Sequence, residues 1–141
     1  VHVDELEILG ALAGAPMEVL RALRARVSPG LGKGRVVREG PALVPLPFRD
    51  SRRGTLFYLG EALVYEVWLR FPDKGVEGYG ATLGPDRERA RALAILDAAL
   101  ALGLEREALE RAARDALKAR EEEDRRLWSW VESTRLEVET L

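Results

Sequence analysis

The sequence contains no cysteine, no asparagine and no glutamine, and its single histidine is His2. Without cysteine the chain has no disulfide, no thiolate nucleophile and no zinc or iron–sulfur site built on cysteine. A Ser-His-Asp triad or a multi-histidine metal site would have to use His2, which lies at a chain end, where order is commonly lost. We therefore expect no metal site, no cofactor of the chain's own and no catalysis by this chain alone.

An excess of either charge is also absent. The chain has 22 basic and 24 acidic side chains, which leaves a formal net charge of -2. A balance this even gives no reason to expect binding to nucleic acid or to an anionic membrane. Nearly all basic residues are arginines, and together with the missing amides this is typical of a thermophile, although a GC-rich genome would produce the same bias.

Long apolar runs are missing as well. The longest, residues 92–104, is interrupted by Asp97 and is too short to span a bilayer. The first residues lack a basic segment followed by an apolar one, so we expect neither a signal peptide nor a membrane anchor. Because the chain has no cysteine, its sequence gives no sign of an oxidising compartment, and the cytoplasm is the expected location.

Periodicity predicts the first half of the fold. At 141 residues the chain is long enough for one domain with a buried core, and we predict a single domain over residues 1–141. Apolar residues at helical spacing predict one helix that stops at Gly14 and a second that starts at Pro16 and ends at residues 28–30. Between residues 31 and 83 the period changes to two and turn residues recur, which predicts an antiparallel sheet whose clearest strand is Ala62–Phe71.

Helical periodicity returns after Leu83. It predicts one helix over about residues 85–102, with a face of small side chains, and a second over about residues 105–132 after a break at Gly103. The last residues, 134–141, alternate again and predict a strand. The predicted fold class is therefore α+β: N-terminal helices, a central antiparallel sheet, two C-terminal helices packing on it and a final short strand.

Three local patterns are candidates for function. Residues 30–34 are glycine-rich, but no strand precedes them and no helix follows, so a flexible linker is a better interpretation than a phosphate-binding loop. Arg49, Arg52 and Arg53 share a loop; their guanidinium groups suit phosphate or carboxylate, while water or acidic side chains of a partner explain them equally well. Trp128 and Trp130 lie on different faces of a helix, so at most one can enter the chain's own core, and we expect the other at an interface.

An ordered series of short motifs extends over nearly the whole chain. Its members are Gly60-Glu61-Ala62-Leu63-Val64, Arg70-Phe71-Pro72-Asp73, Gly78-Tyr79, Leu83-Gly84, Asp86, Ala90, Leu93, Ile95-Leu96-Asp97-Ala98 and Thr134-Arg135-Leu136-Glu137. In this order and spacing the sequence resembles the G subunit of carbon-phosphorus lyase, the PhnG family. It departs from the family pattern in the loop around Arg53, at Tyr65-Glu66 in the main strand and at Arg89, where the family usually has a histidine.

The resemblance implies a place in a bacterial complex for organophosphonate breakdown, in which G, H, I and J subunits form a symmetric hetero-oligomer. With an ATPase-like L protein, that complex uses ATP as a substrate: phosphonate displaces adenine and ribose 1-phosphonate 5-triphosphate forms. The resemblance implies an accessory subunit, with the glycosidic chemistry on the I partner and no nucleic acid or membrane as a partner. Self-association of the isolated chain is left open.

Charged residues within the shared motifs are hard to explain by packing, because buried charges need partners. We therefore predict a position at a partner interface or close to phosphate for Arg52, Arg53, Glu61, Arg70, Asp86, Asp97, Arg135 and the aromatic Trp128. No catalytic residue is predicted.

Two other functions remain open. One is a homo-oligomeric interaction module or small-ligand-binding module unrelated to phosphonates. The other is an RNA-binding α+β domain, which needs aromatic side chains interleaved with a basic sheet face. The strand Ala62–Phe71 distributes Tyr65, Trp68 and Phe71 over both faces beside glutamates, so RNA binding is the weakest of the three hypotheses.

Overall fold

Two helices open the fold. The structure, a computed structural model, describes residues 4–139, and His2 lies outside them. Helix α1 spans Glu5–Leu12 and helix α2 spans Met17–Leu31. The Asp4 carboxylate caps α1 by accepting a hydrogen bond from the Leu6 N–H at 3.3 Å. Helix α2 continues to Leu31, past the end predicted at residues 28–30, because Leu31 is a buried core residue.

The predicted antiparallel sheet is confirmed, and the described residues form three strands of it. These are β1, Arg35–Arg49, β2, Leu56–Phe71, and β3, Val76–Leu83, in the spatial order β1-β2-β3. β2 begins six residues before the predicted strand, since it pairs with β1 along its whole length. β3 pairs with β2 only from Val64 to Phe71. The distal part of the β1–β2 hairpin, residues 43–63, therefore extends beyond the third strand, and we call it the hairpin arm.

Helix α3, Arg87–Ala101, forms the centre of the core. Nine of its fifteen residues are buried, since it lies against the sheet on one side and against α1 and α2 on the other. Gly78 and Gly80 on β3 allow this approach: a Cβ atom at Gly80 would lie only 2.6 Å from the backbone nitrogen of Ala94. The small side chains predicted for this face of α3 are thus confirmed as the contact with the sheet.

Helix α4 spans Arg106–Glu139 and packs on the core only near its start, where Leu109 and Ala113 are buried. The strand predicted at residues 134–141 is wrong over residues 134–139, which continue α4, and residues 140–141 lie outside the described part. No glycine or proline follows Gly103 to stop the helix, and each residue added to a formed helix adds a hydrogen bond. Within the described residues no helix combines the length and apolar character needed to cross a bilayer.

Candidate interaction surfaces

The hairpin arm exposes apolar side chains that no other element within residues 4–139 covers. The two strands of the arm pair with each other but not with β3, and at the usual rise per residue of a strand the arm extends about 25 Å past the end of β3. An isolated two-stranded ribbon of this kind is only marginally stable in water. Contiguous exposed apolar surface is typical of interaction sites. The exposed large apolar residues of the arm are Leu43, Leu46, Phe48, Leu56, Phe57, Tyr58, Leu59 and Leu63.

The two edges of the hairpin arm differ in what they can bind. Pro45 and Pro47 lie in the β1 strand of the arm, where each removes an N–H from the edge strand. On β2, residues 56–62 have no second strand beside them within the described chain. Prolines commonly protect an edge from further pairing. The β2 edge is therefore the side on which another strand can be added.

The tip of the hairpin arm carries the predicted arginines. The loop closes through hydrogen bonds between Asp50 and Thr55 and between Gly54 and Asp50, at 2.9 and 2.8 Å. Arg52 and Arg53 are exposed there, and neither makes an ion pair within the described residues. Glu61 is also exposed on the arm, opposite Pro45. The structure thus brings three of the predicted residues onto one projecting element.

A second projecting element is the distal part of α4. We define distal α4 as residues 117–139, which follow Ala116, the last residue of α4 that packs against the core. Trp128 and Trp130 are 69% and 68% exposed, so neither enters the core of this chain. Leu117, Leu127 and Val131 are exposed beside them. Arg135, another predicted residue, also lies exposed on distal α4.

Asp86 has its partners inside the chain. It caps α3, and its two carboxylate oxygens accept hydrogen bonds from the backbone N–H and from Nε of Arg89, at 3.1 and 3.0 Å. Arg89 also donates to the carbonyl oxygens of Ala13 and Ala15, at 3.0 and 2.5 Å. The pair therefore connects the start of α3 to the turn between α1 and α2, which is a structural role.

Arg70 is also paired within the chain. Its Nη2 lies 2.6 Å from Glu77, which in turn accepts a hydrogen bond of 2.9 Å from the indole N–H of Trp68. The hydrogen bonds from Arg70 and then Trp68 hold the pKa of Glu77 below its ordinary value. We call the face of the sheet that points away from α3 its open face. There the charges of Arg70 and Glu77 neutralise each other.

Glu66 neutralises a second arginine on the same face of the sheet. Its carboxylate lies 3.0 Å from Nε of Arg38 and accepts a hydrogen bond of 2.9 Å from the Tyr79 hydroxyl. Tyr65, its neighbour in sequence, points to the other face and packs against the core. Because Arg38 and Arg70 are both paired to glutamates, two of the arginines on this face are neutralised, which weakens the case for RNA binding.

Asp97 lies on α3, where it contacts the edge of the sheet. Its carboxylate accepts a hydrogen bond of 2.8 Å from the backbone N–H of Tyr79. Burial raises the pKa of Asp97, and the hydrogen bond from Tyr79 partly opposes that shift. The carboxylate therefore serves the contact between helix and strand, away from the hairpin arm and distal α4.

One charged cluster, formed by Glu39, Arg87 and Arg91, is not predicted from the sequence. Glu39 on β1 accepts hydrogen bonds from Nε of Arg87 at 2.6 Å and from two nitrogens of Arg91 at 2.9 Å each. The bonds from Arg91 and then Arg87 lower the pKa of Glu39 to about 2. The sequence does predict that Arg87 and Arg91 lie close together, because they are four residues apart on one helix face. Nothing in the sequence indicated a partner 48 residues earlier.

A small cleft opens between α2, the sheet and α3. Phe71 and Ile95 are among its apolar lining residues, and Arg24 and Arg91 are the basic ones. Its volume is about 250 Å³, below the range of about 300 to 1,000 Å³ usual for small-ligand sites. Arg91 is already engaged by Glu39. The cleft thus gives little support to a small-ligand-binding module.

Comparison with known proteins confirms the resemblance drawn from the motif series. The family model for the phosphonate metabolism protein PhnG matches residues 6–141 of this chain. The match includes both the hairpin arm and distal α4. A search of the curated proteins gave no significant match.

Proposed function

The chain belongs to the PhnG family of phosphonate metabolism proteins, and from this premise we propose that it is an accessory, non-catalytic subunit of a carbon-phosphorus lyase complex. In this role it supports the transfer of ribose triphosphate from ATP to an alkylphosphonate, while partner subunits carry out the chemistry. Its partners are the H, I and J subunits and the ATPase-like L protein, and the complex acts in the cytoplasm.

The observation that carries the proposal is the hairpin arm. Its eight exposed large apolar side chains lie on a ribbon about 25 Å long that has no covering layer within the described chain. Burial of an apolar side chain contributes about 1.5–3 kcal/mol. The eight side chains are 41–65% exposed, so a partner subunit that covers the arm gains part of this contribution from each of them, less the entropy lost on association. The partner can also add a strand to residues 56–62 of β2.

The tip of the arm suits a place near phosphate. Arg52 and Arg53 present forked donors that match phosphate oxygens. Because no carboxylate of the described residues neutralises them, they are available to a triphosphate or to acidic side chains on the partner. The arm would thus hold the subunit in place and bring positive charge toward a nucleotide bound by that partner.

Co-expression with the other subunits tests the proposal. The tagged chain is produced together with the H, I and J subunits of its host, purified, and passed through size-exclusion chromatography with light scattering. We expect a single particle that contains all four proteins. The double substitution Tyr58→Ser/Leu59→Ser on the arm should abolish co-elution, whereas Leu6→Ser, at an equally exposed leucine of α1, should not.

Two results would contradict the proposal. If the chain elutes alone while the other three subunits assemble, membership of the complex is wrong. The homo-oligomeric module would then be the better explanation. If the purified chain alone releases adenine from ATP in the presence of an alkylphosphonate, the accessory role is wrong.

A further inference from the structure

The prolines of β1 indicate which backbone groups of β2 are free. In an antiparallel pair, facing residues alternate between those that exchange hydrogen bonds and those whose N–H and C=O groups point away from each other. Proline has no N–H, so Pro45 and Pro47 belong to pairs of the second kind. Their partners on β2 are Glu61 and Tyr58. The N–H and C=O groups of these two residues therefore point to the uncovered edge of the hairpin arm.

Hydrogen bonds at both ends of the arm agree with this assignment. The Asp50 N–H donates to the Thr55 carbonyl at 2.9 Å, so the backbone groups of the next residue, Leu56, point away from β1. At the base of the arm, the Leu63 carbonyl accepts a hydrogen bond of 3.0 Å from the Gly84 N–H. The free edge of β2 therefore starts at Leu56 and ends just before Leu63.

We propose that a second copy of this chain occupies this edge, with the two β2 strands antiparallel and related by a twofold axis beside Phe57. In this register Leu56 of each copy faces Tyr58 of the other, and both residues direct their N–H and C=O groups at the second copy. The two strands then exchange about four backbone hydrogen bonds around the axis. A register two residues deeper would push the turn of one copy into Gly84 of the other.

The pairing produces a sheet with protected outer edges. Its strand order is β1-β2-β2-β1, so both outer strands are β1. There Pro45 and Pro47 withhold N–H groups from further pairing. β2 contains no proline, and its edge lies inside the combined sheet. The contact therefore closes after two copies and does not continue into a fibre.

Side chains match on both faces of the paired strands. Phe48 and Phe57 are cross-strand partners whose ring centroids lie 5.2 Å apart. The axis places the two Phe57 side chains opposite each other, so four aromatic rings form one row across the sheet. On the other face, the exposed Leu56 of each copy lies opposite the exposed Tyr58 of the other.

The charges of the contact are complementary. The register brings the turn of one copy beside Glu61 of the other, with Arg53 next to it. Neither Arg53 nor Glu61 makes an ion pair within the described residues. Residues 54–60 carry no charge, so no like charges meet near the axis. Arg52 stays free for a position near phosphate.

The pairing uses the edge of the hairpin arm and leaves both of its apolar faces open. Partner subunits can still cover those faces, so the inference does not rest on the proposed function. A strand from a partner subunit would compete for the same edge, and the experiments that follow separate the two occupants.

Proline on the β2 edge tests the hydrogen bonds. Sedimentation of the isolated full chain over a range of concentrations should show a dimer. Leu56→Pro removes one edge N–H from each copy without removing a bond to β1, and it should raise the dissociation constant at least about tenfold. Leu56→Ala, which loses the same side chain and keeps the N–H, should raise it less. Circular dichroism should show that both variants remain folded, because Leu56 is exposed.

Charge exchange tests the register. Arg53→Glu and Glu61→Arg should each weaken the dimer, because like charges then meet at both ends of the contact. When the two variants are mixed, each new side chain faces one of opposite charge, and a heterodimer should form. Arg126→Glu, a matched charge change on distal α4, should leave the dimer unchanged.

A disulfide locates the axis. The chain has no cysteine of its own. Phe57→Cys should form an interchain disulfide, since the Cα atoms of a facing pair without hydrogen bonds are about 4.5 Å apart. Phe48→Cys should not, because the two β1 strands lie about 14 Å apart in the combined sheet.

The proposal is overturned if the native chain stays monomeric at all accessible concentrations. It is also overturned if a dimer forms that Leu56→Pro weakens no more than Leu56→Ala and in which Phe57→Cys gives no disulfide, because another surface would then hold the copies together. A monomeric chain whose co-elution with the other subunits is lost with Leu56→Pro and kept with Leu56→Ala would assign the edge to a partner strand. Co-elution of the native chain does not depend on the homodimer, so the two proposals can fail separately.

Discussion

The carboxylate of Asp97 on α3 accepts a hydrogen bond of 2.8 Å from the backbone N–H of Tyr79 on β3. Tyr79 lies between Gly78 and Gly80, the two glycines that let the helix backbone approach the sheet. The bond gives an N–H of this edge strand a partner from the helix. A residue predicted to lie at an interface thus forms part of the contact between helix and sheet.

Asp97→Asn should be at least as stable as the native chain at pH 7, because the amide keeps an acceptor for the Tyr79 N–H and carries no buried charge. Asp97→Ala should lose about 1–2 kcal/mol, since the N–H then lacks its partner. The folded pKa of Asp97 is raised, so its contribution to stability declines as the pH rises from 3.8 to that raised value. Urea unfolding of all three proteins between pH 4 and 7 checks this. A loss in the asparagine variant equal to that in the alanine variant would show that the negative charge itself is needed.

Gly80→Ala should destabilise the fold by about 2–3 kcal/mol, because the new methyl group meets the backbone of α3. The matched control is Gly10→Ala. Gly10 lies in helix α1, and a Cβ atom there meets nothing within 4 Å, so alanine should add about 0.5–1 kcal/mol of stability. Chemical denaturation measures both. A Gly80 variant as stable as the native chain would mean that α3 can move away from the sheet without cost.

Glu39→Gln should reduce stability at pH 7 by about 1–2 kcal/mol, since charge-assisted hydrogen bonds from Arg87 and Arg91 are weakened. The pKa of Glu39 is lowered to about 2. Its contribution is therefore present above the ordinary value of 4.5 and is lost as the pH falls through about 2. Denaturation at pH 7, 4 and 2.5 should show the two proteins converging in acid. Glu61→Gln on the exposed arm serves as control and should change stability by less than about 0.5 kcal/mol.

Arg89→Met should cost about 2–3 kcal/mol, because the carbonyl oxygens of Ala13 and Ala15 and the carboxylate of Asp86 lose a common donor. Arg89→Lys should recover only part of this, since a single nitrogen cannot reach all three acceptors at once. Thermal unfolding of the native chain and the two variants measures the difference in stability. A lysine variant as stable as the native chain would indicate that positive charge alone is sufficient at this position.

Local patterns predicted the elements well and their ends less well. The strand Ala62–Phe71 was found by its alternation, but residues 56–61 were missed because their alternation is weak and Gly60 interrupts it. The strand predicted at residues 134–141 failed because alternation over a few residues does not outweigh a preceding helix with no glycine or proline to end it. Of the predicted site residues, Arg52, Arg53, Glu61, Arg135 and Trp128 lie on projecting elements, whereas Arg70, Asp86 and Asp97 have partners inside the chain.

The sequence by itself determined the fold class, the antiparallel sheet, the small-residue face of α3 and the family, because each depends on residue type and spacing along the chain. Tertiary structure alone decided which charges are neutralised, since Glu39 and Arg91 are 52 positions apart in the sequence and meet only in the folded chain. It also decided that the hairpin arm and distal α4 project without cover from the rest of the described chain. Whether an apolar residue is buried depends on which other element packs against it, and the spacing of apolar residues along the chain does not contain that information.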